Sequence, residues 1–139
     1  MFAALPLLAL PVLFYNLLAA TVGGGFHATA AAARISAPLM TIRAPSHVGW
    51  VVSPGDLLLA AGLMALFVEQ LKSTSSHQAA IVNHSLSVVL FVVCLVEFLL
   101  FPAFASSTFF LLMLMVLLDV LAGFIVTIFA SRREIDLRD

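Results

Sequence analysis

The sequence predicts an all-α integral membrane protein: a bundle of four transmembrane helices, antiparallel between neighbours, with a small extramembrane β-hairpin loop between the first two. Three observations carry this. Of 139 residues, 63% are hydrophobic and 9% charged, and the mean hydropathy is +1.20. Four apolar runs, 2–22, 56–72, 79–104 and 108–130, approach or exceed what a ~30 Å hydrocarbon layer requires at ~1.5 Å per residue. Such long unbroken runs exclude a transmembrane barrel, whose strands alternate apolar and polar residues. The chain reads as one membrane domain with a loop at 23–55 and a tail at 131–139.

The first run contains Pro6 and Pro11, which bend or loosen a helix and leave carbonyls for neighbouring helices to cover. It has no basic residue ahead of it and leads into Gly23-Gly24-Gly25 instead of a cleavage motif, so it reads as a retained helix and not a signal peptide. The second run opens at Ser53-Pro54-Gly55-Asp56, a turn followed by an acidic residue placed to cap a helix N-terminus. Ser73-Thr74-Ser75-Ser76 turns the chain between the second and third runs, and Pro102 with Ala105-Ser106-Ser107 turns it between the third and fourth. Both pairs are expected as antiparallel hairpins.

The loop divides in two. The glycine- and alanine-rich stretch 23–33 reads as a break followed by a short surface helix. Residues 35–52 are richer in β-branched and aromatic types, with Ala44-Pro45-Ser46-His47 as a turn between 39–43 and 48–52, which reads as a β-hairpin. Trp50 is expected to anchor at the headgroup layer, burying its ring while its N–H stays wet. An even number of crossings places Lys72, Arg132, Arg133 and Arg138 on one side and Arg34 and Arg43 on the other. The excess of basic residues beside helix ends puts both termini in the cytoplasm.

Function is sought first at Glu97 and Asp119, which stand inside apolar runs. A carboxylate at mid-membrane costs roughly 2.5–3.5 kcal/mol on insertion scales, so each needs a packing, proton-linked or partner-binding reason. Asn83, Ser87, Cys94 and Glu97 fall on one stripe of the third helix. Thr108, Met115, Asp119, Gly123 and Thr127 fall on one stripe of the fourth, where Gly123 and Thr127 form a small-xxx-small pair that admits a close helix. Counted from the turn, the two acids differ in depth by ~7 Å, and Asn16 on the first helix is the expected partner of Glu97. At the cytoplasmic end, Glu69 and His84 are expected to approach across the hairpin, as snorkelling ends or as a proton-accessible pair.

Other classes receive no support. Six scattered basic residues make no surface for nucleic acid. The one cysteine, Cys94, reads as a small buried residue. His27 and His47 share the loop without the spacing or companions of a metal site, and His27 and His84 lie near opposite surfaces, so neither metal nor haem is expected and no cofactor is assigned. No nucleophile elbow, phosphate loop or dinucleotide fingerprint appears, and the chain reads as a non-enzyme.

Taken together, Tyr15-Asn16, residues 23–27, Gly55-Asp56, Phe67-Val68-Glu69, Asn83-His84 and residues 91–98 give a chain that resembles small four-helix inner-membrane proteins of Gram-negative, alphaproteobacterial type. The resemblance implies fold and location. In size and helix count the chain is also similar to small multidrug-resistance transporters, whose essential glutamate stands in the first helix, where this sequence has none. The expected role is therefore an accessory or scaffold protein in the lipid bilayer, assembled with itself or with other membrane-protein subunits. The alternative is a proton-coupled small transporter or channel using Glu97 and Asp119.

Overall fold

The computed structural model describes residues 5–72 and 77–136, with the side chains of 77–81, 126, 127 and 129–136 outside the description. It is mostly helical: α1 (Ala9–Thr21), α2 (Ala30–Ser36), α3 (Pro54–Lys72), α4 (His77–Leu100) and α5 (Ser107–Asp136). A two-stranded antiparallel hairpin, β1 (Met40–Arg43) and β2 (Gly49–Val52), stands between α2 and α3. Among the described residues α3, α4 and α5 are long and apolar enough to cross a membrane. The chain is a membrane protein on that ground.

The long helices start and stop where local chemistry dictates. Ser53 caps α3 reciprocally: its backbone N–H and hydroxyl donate to Asp56 Oδ2 at 2.7 and 2.8 Å, while Asp56 N–H donates to Ser53 Oγ at 3.2 Å. Pro54 takes the first helical position, where its missing N–H costs nothing. Ser106 caps α5 by accepting the Phe109 N–H at 3.1 Å. Gly24 and Gly25, at φ +94° and +57°, supply the left-handed backbone that turns the chain after α1.

Three boundaries of the apolar runs differ from the sequence expectation by more than two residues. α1 does not run over 2–22: it begins at Ala9, because Pro6 favours a turn ahead of the helix, and residues 2–4 lie outside the described residues. The third run ends at Leu100 and not at 104, because Pro102 cannot continue the ladder; Pro102–Phe104 forms a 3₁₀ turn that tucks Ala103 and Phe104 into the core. The fourth run continues as helix through Asp136, so residues 131–136, read as tail, extend α5.

The core lies between α1, α3, α4 and α5 and is closed at one end by the loop. There Tyr15, Phe104 and Phe109 stack at centroid distances of 4.7–5.5 Å, with Phe26 and Phe101 at their edge. Ala31 and Ile35 on the inner side of α2 are buried beneath the same lid. Tyr15 ties these parts with polar bonds. Its hydroxyl donates to the Ala103 carbonyl at 3.1 Å and pairs with Ser106 Oγ at 2.7 Å, extending the α5 cap into α1. α3 approaches α5 closely at Gly62, where an added Cβ would meet Leu112 and Met115 at 3.0 Å.

Tyr15→Phe is expected to lower stability in detergent by about 1–3 kcal/mol, since it strands buried partners on Ala103 and Ser106. Ser106→Ala should act on the same chain of bonds, so the double variant loses less than the sum, as thermal melts followed by circular dichroism will show.

Candidate functional site

The polar residues of the membrane region gather into two groups. The larger lies where α3, α4 and α5 meet, toward the C-terminal end of α3. Glu69, 1% exposed, accepts the Leu7 N–H at 2.5 Å through one carboxylate oxygen and the Asn83 side-chain amide at 2.5 Å through the other. α1 has no side-chain cap, and Glu69 reaches from α3 to the turn just ahead of it, at the end where the helix dipole favours a negative charge. Asp119, also buried, accepts the Ser87 hydroxyl at 2.5 Å and the Gln70 amide at 3.2 Å. Asn83 and Ser87, one turn apart on α4, thus bind one acid each.

His84 completes this group differently. Its ring packs edge-on to Phe124 at 4.7 Å and fills the space over Gly123, where any Cβ would collide with the imidazole. Neither ring nitrogen has a hydrogen-bond partner among the described residues. The expected approach of Glu69 to His84 is replaced by the Glu69–Asn83 bond. Asn83 is one residue earlier on α4, about 100° around the helix, and it is the side that meets α3.

The second group is smaller. Asn16 donates to Glu97 Oε2 at 3.3 Å and to the Val12 carbonyl at 3.2 Å, the contact with Glu97 that shared depth had indicated. Cys94, on the same stripe, is fully buried. Glu97 and Asp119 are much farther apart than the ~7 Å that counting gave. Asp119 bonds to Ser87, ten residues before Glu97, which places the acids ~15 Å apart along α4. The count went wrong because it ran the third helix past Pro102; with the helix ending at Leu100, Glu97 sits one turn from its end.

Gly123 does serve a close contact, with a side chain of α4. The Thr127 side chain lies outside the described residues. Trp50 stands on the hairpin, exposed. Reading the sequence missed Gln70 as a partner of Asp119 and Glu69 as the acceptor for the turn ahead of α1; the available signal was that buried acids need donors, and Gln70 is the neutral side-chain donor on α3. Among the described residues no three His, Cys, Asp or Glu side chains gather as metal ligands. A groove of about 440 Å³ between α1 and α3 is walled by Leu10, Pro11, Phe14, Ala61, Met64 and Val68, apolar groups suited to an acyl chain. No family model, curated protein or solved structure matches the chain.

Gly123→Ala is expected to cost about 1–3 kcal/mol by forcing the His84 ring aside. His84→Ala in the same chain should recover part of that loss, a coupling that a double-mutant cycle of unfolding free energies in detergent measures directly.

Proposed function

We propose that this is a four-pass protein of the bacterial inner membrane with both termini in the cytoplasm, acting as a non-enzymatic accessory or scaffold subunit that assembles with itself or with a larger membrane complex. The fourth crossing is supplied by α1 and the turn before it. Leu7 meets Glu69 near the C-terminal end of α3, while Tyr15, about two turns on, meets Ala103 and Ser106 ahead of α5, so this segment runs antiparallel to α3. Termini in the cytoplasm follow from the four basic residues on that side against two on the other.

One observation carries the accessory role: each membrane-embedded acid is engaged by neutral donors from another helix, so the acids act as clamps between helices. Meanwhile α4 buries little of itself and turns Val82, Val89, Val93 and Val96 outward, a side open to lipid or to another subunit. The second reading, a proton-coupled small transporter or channel, is favoured by the His84 ring, which lies over Gly123 one turn from Asp119 and whose buried nitrogens have no hydrogen-bond partner among the described residues.

Purified protein reconstituted in vesicles separates the two. On the accessory reading it passes no protons above empty vesicles, Glu97→Gln and Asp119→Asn keep its assemblies intact, and Asp119→Leu weakens the fold by about 1–3 kcal/mol by stranding Ser87 and Gln70. Proton flux in the parent protein that Glu97→Gln or Asp119→Asn abolishes overturns the accessory role.

A further inference from the structure

The hairpin is the least enclosed part of the fold. Its principal packing is between its own two strands, and an isolated two-stranded hairpin is marginal at best in water. Its register pairs Met40 with Val52 and Ile42 with Trp50, which puts these four side chains on one side; Val48, joined to Ala44 by a backbone bond of 3.0 Å, continues that side by alternation. The side is wholly apolar. The other side carries Thr41, Arg43, Val51 and Gly49. On the apolar side only Val52, at 4% exposed, is buried, while Met40 across from it and Ile42, Val48 and Trp50 are 46–64% exposed. The side that Val52 turns into the body is therefore the one that overhangs its edge.

Only Ser53 separates β2 from α3, and its capping box leaves no slack at that joint. One turn later, Leu57 is already exposed on a helix long enough to cross the membrane. An apolar side that overhangs the bundle at this level meets lipid, with Trp50 suited to the interfacial layer and Arg43 on the opposite side available to water and phosphate. We propose that the hairpin is an interfacial anchor, laying Met40, Ile42, Val48 and Trp50 into the headgroup–acyl boundary of the leaflet at its own end of the bundle. The inference rests on the membrane-spanning reading of α3 and assigns the loop its partner, a lipid surface.

Trp50 is the only tryptophan, so its fluorescence reports the hairpin alone. The full chain is reconstituted into phosphatidylcholine–phosphatidylglycerol vesicles whose acyl chains carry bromine at graded depths. Shallow bromines are expected to quench Trp50 most, and aqueous acrylamide to quench it little. Ile42→Ser with Val48→Ser should shift the docked-to-undocked ratio about tenfold toward acrylamide access, whereas Val51→Ser on the opposite side leaves it unchanged. Full acrylamide quenching without bromolipid quenching overturns the anchor. So does a shielded Trp50 that bromolipid does not reach and whose shielding rises with the protein-to-lipid ratio, which assigns the side to a second copy. Alkaline extraction of the same vesicles keeps the two levels apart: protein retained with Trp50 unquenched by lipid sinks the anchor alone, while protein released by alkali sinks the membrane reading with it.

Discussion

A carboxylate held away from water must be met by a donor, and the packing of this bundle follows from how that requirement is satisfied. Glu69 joins α3 to the start of α1 and to α4, Asp119 joins α5 to α4 and α3, and Glu97 joins α4 to α1. Every one of the four long elements is reached. In lipid the apolar surfaces of helices have no hydrophobic reason to prefer one another over acyl chains, so directional bonds and close approaches choose the arrangement. The approaches at Gly62 and Gly123 complement the bonds: one brings α3 onto α5, the other admits the His84 ring between α4 and α5.

The opposite end is held by aromatic packing and one chain of hydrogen bonds. The Phe109 N–H, the Ser106 hydroxyl, the Tyr15 hydroxyl and the Ala103 carbonyl follow one another, so the cap of α5, the middle of α1 and the 3₁₀ turn are one unit. Over them, Phe26 and the inner side of α2 close the core. The result is a bundle whose two ends differ in chemistry. Acids and amides gather toward the C-terminal end of α3, while rings and hydroxyls gather beneath the loop. Glu97 belongs to the second end, which is why it stands apart from Asp119 and Glu69.

Much of this was legible in the residues. The hairpin followed from β-branched residues around Ala44-Pro45-Ser46-His47, and the start of α3 from Ser53 and Asp56, because both are set by interactions a few residues long. The α4 stripe was legible too, since Asn83, Ser87, Cys94 and Glu97 recur at helical spacing and all turn toward protein or its edge. The partners across that stripe were less so. Pairing Glu69 with His84 instead of Asn83 is an error of one residue, but one residue rotates a side chain by ~100° on a helix. The depth of Glu97 was misjudged because an apolar run does not reveal where Pro102 stops the helix inside it.

By itself, then, the sequence determined a membrane protein of long apolar helices, the short caps and turns between them, and which faces of α4 and α5 carry polar groups, since each of these is written in composition, periodicity or local bonding. Only the tertiary structure decided which donor serves which acid, that Glu69 holds the turn ahead of α1, and that His84 occupies the space above Gly123. These depend on axial offset and rotation between helices, and in a nonpolar surround those are fixed jointly by all the contacts and by no single segment.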